Sequence, residues 1–262
     1  MGDNNWSAQF SVAAGSVMGR EHARLQRNNQ DGVAVRVSPE CIVAVVADGC
    51  GSGRYSEVGA RLGAAWIVAH LPRLLAEASD AASLAARLTD ELAGYLRTIA
   101  DGLGGTPEVL HDYFLFTFLA AIVEPARTLV LGVGDGVVSV DGVASWLDAG
   151  PDNAPPYVAY RLLDDPRLAV VPQVHHDGAT NGLRSLIIGT DGLGELEARQ
   201  YEPLSDGRLS GGLQQLADDP KTLANPSLVH KRLCALGERH RRLRDDTTLV
   251  VIRRRPVHEV QS

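Results

Sequence analysis

The chain has 262 residues, 45% of them hydrophobic, so it can bury a sizeable core as one large domain or two small ones. A net charge of −7 and the lack of an extended basic stripe argue against nucleic acid as the main partner. No apolar segment reaches membrane-spanning length, and the N-terminus lacks a signal-peptide pattern, so no membrane partner is expected. The three cysteines are widely spaced, which indicates a reducing compartment, and we expect a cytoplasmic protein.

The first part of the chain combines strand signals with two long helical signals. Strands are predicted at residues 9–17 and 32–37, where apolar and polar residues alternate, and at the unbroken apolar run 41–47. Two alanine- and leucine-rich helices are predicted at 55–78 and 81–100, parted at Ser79-Asp80, where a helix cap fits. The glycine-rich segment 102–107 is predicted to be a loop.

The second part of the chain is richer in strand signals. Strands are predicted at 113–123, 128–133, 137–140, 167–171, 186–189 and 247–254, and helices at 209–218 and 227–242. The irregular, proline-containing segment 148–165 is typical of a flap-like surface insertion. This order favours an α+β layer structure over βαβ repetition, and without a clear linker we predict a single domain over residues 1–262.

Aspartates stand at the ends of four strand-like apolar runs. Asp48, Asp135 and Asp191 each follow such a run and precede a glycine, whereas Asp245 and Asp246 open the last strand. A single Asp-Gly pair is typical of a turn. The recurrence at four distant places favours a metal site, because a carboxylate at the end of a buried strand is costly and Mg²⁺ or Mn²⁺ takes oxygen ligands.

Six motifs follow one another in a fixed order along the chain. They are Asn28-Asn29-Gln30-Asp31, Asp48-Gly49-Cys50-Gly51, Phe116-Thr117, Gly134-Asp135-Gly136, Asp191-Gly192-Leu193 and Asp245-Asp246-Thr247-Thr248. The ordered set resembles the metal-dependent protein phosphatases, the type 2C serine/threonine phosphatases in their bacterial form. This resemblance spans most of the chain, from about residue 15 to residue 252. It implies a four-layer α-β-β-α sandwich of two antiparallel sheets flanked by helices.

The resemblance also implies a centre of two Mn²⁺ or Mg²⁺ ions. Asp31 and Asp48 would be ligands, with Asp48 bridging the ions and the Gly49 carbonyl binding one of them. Asp191 and Asp245 would complete the ligand set, and Asp48 and Asp191 would be the catalytic residues. In that scheme a metal-bridging hydroxide attacks the phosphorus of phosphoserine or phosphothreonine.

Several positions depart from the family pattern. The phosphate-binding arginine does not keep its usual spacing, so Arg27 and Arg24 are both candidates, with Arg27 preferred as the nearer to the first acidic motif. Each can also be read as an ordinary surface arginine. The Gly-Asp motif lacks the usual serine and arginine, so Asp135 is predicted to organise a strand end instead of binding metal directly.

Other assignments stay open at this stage. Glu195 and Asp152 are candidates for a third, weaker metal site of the kind common in bacterial relatives. Two roles are open for His22: a proton donor to the leaving alkoxide, or an ordinary polar surface residue.

The expected substrate and partner is a phosphorylated protein, either a serine/threonine kinase or a target of one. Two alternatives remain: a hydrolase of small phosphate esters, and a catalytically silent phosphatase-like domain that binds partners or senses a signal. Retention of the four ligand aspartates argues against silence. A nucleotide-binding kinase or GTPase is disfavoured, because the chain has no Gly-x-x-x-x-Gly-Lys-Ser/Thr loop.

Overall fold

The computed structural model describes residues 6–150, 154–163, 168 and 170–256. Within these ranges the strands form two five-stranded antiparallel sheets. The first sheet contains, in spatial order, β1 (Phe10–Val17), β10 (Thr247–Arg254), β9 (Ser185–Gly189), β6 (Gly136–Val140) and β7 (Val143–Leu147). The second contains β2 (Gly32–Val37), β3 (Ile42–Gly49), β4 (Phe116–Val123), β5 (Arg127–Val133) and β8 (Gln173–Ala179).

Helices connect and cover these strands. They are α1 (Arg20–Arg24), α2 (Ser56–Glu77), α3 (Ala81–Gly102), α4 (Pro107–Phe114), α5 (Gly194–Ala198), α6 (Gln215–Asp218), α7 (Pro220–Ala224) and α8 (Ser227–Cys234). Asp80 caps α3 as the sequence predicts: its side chain accepts from the Ser83 backbone, and the Ser83 hydroxyl accepts from the Asp80 backbone. None of the helices in the described part of the chain combines the length and the apolar character needed to cross a bilayer.

Strand β3 is apolar from Ile42 to Ala47, where both of its faces are buried. Val43 and Val45 belong to the core between the second sheet and the long helices α2 and α3. Ala44 and Val46 belong to the core between the two sheets, together with side chains of β9 and β10. A strand buried on both faces reads as a continuous hydrophobic run, and this one does.

A third core completes the layers. Leu249 and Val251 on the outer face of β10 pack with Leu216 of α6 and Leu233 of α8. The layers are therefore helix, sheet, sheet and helix, which confirms the predicted four-layer α-β-β-α sandwich.

Some predicted boundaries are wrong. The strand predicted at 113–123 begins at Phe116, because α4 precedes it, with Thr106 as its cap and Pro107 in its first turn. The helix predicted at 209–218 forms only over Gln215–Asp218, since Leu209 pairs with Pro203 in an isolated β-bridge. The strand predicted at 167–171 lies partly outside the described residues, and the strand observed in this region is β8.

Candidate active site

The strand register brings the acidic strand ends to one edge of the sandwich. In the second sheet, Asp48 near the end of β3 lies opposite Thr117 near the start of β4. In the first sheet, Leu249 of β10 lies opposite Gly189 of β9. Because these pairs are antiparallel, the segment that follows β9 and the segment that precedes β10 lie side by side.

A cavity of about 480 Å³ opens at this edge, and we call it the acidic cavity. Its lining includes Asp48, Asp135, Asp191 and Asp245, which are distant in sequence. Among the described residues, no lysine or arginine lines it. The cavity therefore concentrates negative charge without a fixed side-chain cation of that kind to neutralise it.

Asp31 is a further carboxylate of the same cluster and is buried, with 2% of its surface exposed. Its Oδ2 accepts a hydrogen bond of 3.0 Å from the Thr190 hydroxyl. Its Oδ1 is buried and has no hydrogen-bond partner within the described part of the chain. A buried carboxylate oxygen without a donor is costly, which suits a site that receives a cation.

The carboxylates of the cluster raise one another's pKa. Burial raises the pKa of Asp31 and of Asp48 well above the usual range, and for Asp48 the charges of Asp31 and Asp191 add to this effect. Burial also raises the pKa of Asp191, although a hydrogen bond with Asp48 opposes the shift. Burial and the charge of Asp191 raise the pKa of Asp135 to about 6. Without a cation, this cluster resists full ionisation near neutral pH.

These residues fit a hard divalent cation by the chemistry of their donors. In the described ranges, no three histidine, cysteine, aspartate or glutamate side chains are arranged as a ready-made ion site. The donors that converge are nevertheless carboxylate oxygens, which Mn²⁺ and Mg²⁺ prefer. The unpartnered Oδ1 of Asp31 and the convergence of Asp48 and Asp191 on the cavity are the structural observations that support the fit.

Gly49, predicted to offer its carbonyl to a metal, also lines the acidic cavity. A Cβ at this position would lie 2.6 Å from the Gln30 carbonyl oxygen and 2.7 Å from the Ser56 hydroxyl. Only glycine therefore allows the end of β3 to approach both the segment before β2 and the first turn of α2.

The two candidate phosphate-binding arginines are placed differently. The Arg27 guanidinium donates a hydrogen bond to the carbonyl of Gly51, a residue of the cavity lining. The Arg24 side chain is 67% exposed and pairs with Glu21. Neither arginine is among the described residues that line the cavity. Their role in phosphate binding stays a prediction.

Of the two candidates for a third metal site, Glu195 is described by the structure and is not among the described residues that line the acidic cavity. Glu195 accepts a hydrogen bond of 2.6 Å from the backbone of Arg244, next to Asp245. Asp152 lies outside the residues that the structure describes.

The structure adds residues to which sequence reasoning gave no defined role in the site. Asp135 lies in the cavity lining, and the nearby Thr117 hydroxyl opposes the rise in the Asp135 pKa. His22 also lines the cavity, and its Nδ1 is 2.6 Å from Oδ2 of Asp246. The only sequence signal for Asp246 is the aspartate doublet at the start of β10.

A family model described as Protein phosphatase 2C matches residues 18–227, well over half of the chain. The chain belongs to this family. The matched region of this phosphatase 2C chain contains Asp31, Asp48, Asp135 and Asp191 and ends before Asp245. No curated protein matches its sequence.

Several solved structures share the fold of this chain. A bacterial serine phosphatase superposes with a TM-score of 0.58 at 14% identity, covering 94% of this chain and 98% of that one. The serine/threonine phosphatase Stp1 from Staphylococcus aureus gives 0.54 at 14% identity, with 94% and 96% coverage. PppA of Pseudomonas aeruginosa, a regulatory component of its T6SS, gives 0.50 at 19% identity, with 94% and 98% coverage. At these identities the likeness shows the fold alone.

Proposed function

We propose that this phosphatase 2C protein is a metal-dependent enzyme that hydrolyses phosphoserine and phosphothreonine in a protein substrate. The observation that carries the proposal is the convergence of Asp48, Asp191 and Asp245 on one cavity. Buried Asp31, whose Oδ1 has no partner among the described residues, supports it. The substrate would be a serine/threonine kinase or a target of one.

The ligand residues would act by holding and spacing the cations. Asp31, Asp48, Asp191, Asp245 and the Gly49 carbonyl would bind them, and the Thr190 hydroxyl orients the Asp31 carboxylate. When bound, Mn²⁺ or Mg²⁺ lowers the pKa of water and offsets negative charge on the phosphoryl oxygens. The nucleophile is then water, and no protein side chain needs to form a covalent intermediate.

The remaining lining of the acidic cavity supports a protein substrate over a small phosphate ester. Leu115, Pro155, Tyr157 and Tyr160 line the same cavity. Such apolar and aromatic surfaces can contact the residues that flank a phosphorylated side chain, whereas a small phosphate needs only the carboxylates and their cations.

The test compares saturation kinetics on a phosphothreonine peptide and on a small aryl phosphate, with Mn²⁺ present. We expect a higher kcat/KM for the peptide. Equal or inverted values would favour the hydrolase of small phosphate esters. Hydrolysis of neither substrate would favour the silent phosphatase-like domain.

Arg27→Ala is expected to raise KM for the phosphopeptide about tenfold, as loss of one charge-assisted hydrogen bond would. We expect a smaller change in kcat, because an interaction made equally in the ground and transition states is uniform binding. Arg24→Ala is the matched control, since Arg24 is exposed and already paired with Glu21. An increase in KM for Arg24→Ala alone would move the phosphate anchor to Arg24.

A further inference from the structure

His22 is held firmly at the acidic cavity. It belongs to the short helix α1, whose first residues Arg20 and Glu21 donate backbone hydrogen bonds to the carbonyls of Leu243 and Arg244. Its side chain is 12% exposed and lines the cavity. The position of the imidazole is thus fixed by the backbone of α1 as well as by the contact with Asp246.

The hydrogen bonds that Asp246 accepts show which ring nitrogen of His22 carries a hydrogen toward it. Asp246 is buried, and its Oδ1 accepts from the Gly19 backbone at 2.7 Å. Its Oδ2 accepts from the Gln30 backbone at 2.6 Å and lies 2.6 Å from His22 Nδ1. Because backbone N–H groups can only donate, both carboxylate oxygens act as acceptors, and Nδ1 carries a hydrogen.

The other ring nitrogen of His22, Nε2, is free to contact a substrate. Nε2 makes no hydrogen bond to any residue that the structure describes, and the side chain borders the acidic cavity. This is the arrangement of a proton donor oriented by a second residue.

We propose that His22, positioned by Asp246, donates the Nε2 proton to the serine or threonine oxygen during hydrolysis; the inference rests on the proposed function. The oxygen of water bonds to phosphorus while the bond from phosphorus to the side-chain oxygen breaks. The electron pair of that bond stays on the departing oxygen, and the His22 proton completes the hydroxyl. The attacking water releases one proton to solvent and His22 regains one from solvent, so the products are the free side chain and inorganic phosphate.

The other proton donors at the cavity are less well placed. His111 also lines it, but its side chain is 51% exposed, and its neighbours are Ser52 at 3.4 Å and the exposed Asp112 at 3.3 Å. No buried carboxylate among the described residues orients this ring. Burial raises the pKa of the Tyr157 hydroxyl, which makes it a weaker acid.

The experiment compares turnover of two substrates whose leaving groups differ in their need for a proton. With Mn²⁺ present, kcat is measured on a phosphothreonine peptide and on p-nitrophenyl phosphate for His22→Asn and His22→Ala. The side-chain amide of His22→Asn can still donate to Asp246, so this variant removes Nε2 while retaining the contact. Nitrophenolate departs without a proton, whereas an alkoxide does not. We expect the peptide rate to fall about 100-fold and the aryl phosphate rate to fall by less than about threefold.

The aryl phosphate rate of each variant also reports whether its site is folded. His111→Ala is the control, and its ratio of the two rates should equal that of the wild type. Equal losses on both substrates in His22→Asn would overturn the inference and make His22 a phosphate anchor or a structural residue. An unchanged peptide rate, or a selective loss in His111→Ala, would also overturn it. Inactivity of the wild type on both substrates would overturn the proposed function, and this inference with it.

Discussion

Asp48→Ala is expected to lower kcat for a phosphothreonine peptide by about a thousandfold, the effect of several kcal/mol of lost transition-state stabilisation. Asp48 is half-buried at the end of β3, and partial burial together with the charges of Asp31, Asp191 and Asp135 raises its pKa, so its carboxylate lies within the acidic cluster. Removing it would take away the ligand predicted to contact both cations. Asp191→Ala should have an effect of similar size, measured under the same Mn²⁺ conditions.

A folding defect would not explain such a loss. The charge of Asp48 is half-buried beside other carboxylates and destabilises the metal-free protein, so its removal should leave the melting temperature unchanged or higher. Asp177→Ala is the control: Asp177 is an exposed aspartate of β8 that pairs with Arg127, and kcat should not change. Wild-type turnover by a folded Asp48→Ala protein would show that Asp48 holds no essential cation.

The metal-free protein is expected to be more stable toward unfolding at pH 5 than at pH 7. Asp135 shows the direction of this pH dependence, since its pKa rises from 3.8 to about 6 on folding. Above pH 6 the folded state must bury its charge, at a cost of about 3 kcal/mol for a shift of this size. The cost decreases as the pH falls below 6 and disappears below 3.8. Asp31, Asp48 and Asp191, with raised pKa values, act in the same direction.

The measurement is the free energy of unfolding from denaturant titrations at the two pH values. Asp135→Asn should stabilise the metal-free protein at pH 7 and reduce the difference between pH 5 and pH 7. Saturating Mn²⁺ should raise stability most at pH 7, because the cation binds the charged carboxylates. Equal stability of the metal-free protein at both pH values would contradict the account of a mutually repelling cluster.

The sequence predicts the parts of the fold that bury strongly apolar segments. Strands β3 and β10 contain the continuous hydrophobic runs 42–47 and 249–252 because both sheet faces are covered there, and this signal is readable without a structure. Strand β8, in contrast, contains histidine, aspartate and glycine at a sheet edge, where burial imposes no apolar pattern. Helix α4 escaped prediction because its Thr106-Pro107 start was included in a glycine-rich loop.

Site residues can be predicted from the sequence where a charged side chain stands at a position at which folding alone would favour an apolar one. A charge at the end of a buried strand has no structural benefit, and this argument alone pointed to Asp48, Asp135, Asp191 and Asp245, which the structure brings together at the acidic cavity. The pairing of His22 with Asp246 was not readable, because it joins positions 224 residues apart and depends on how α1 docks against the start of β10. Local sequence does not encode such a contact, since it follows from the register of β1 against β10.

The central claim is that the acidic cavity works only as a metal centre, and hydrolysis of a phosphothreonine peptide by metal-free protein tests it most directly. Protein stripped with EDTA and shown by elemental analysis to contain no metal should have negligible activity. Addition of Mn²⁺ or Mg²⁺ should restore turnover, and renewed EDTA should abolish it. Full turnover by the metal-free protein would contradict the account.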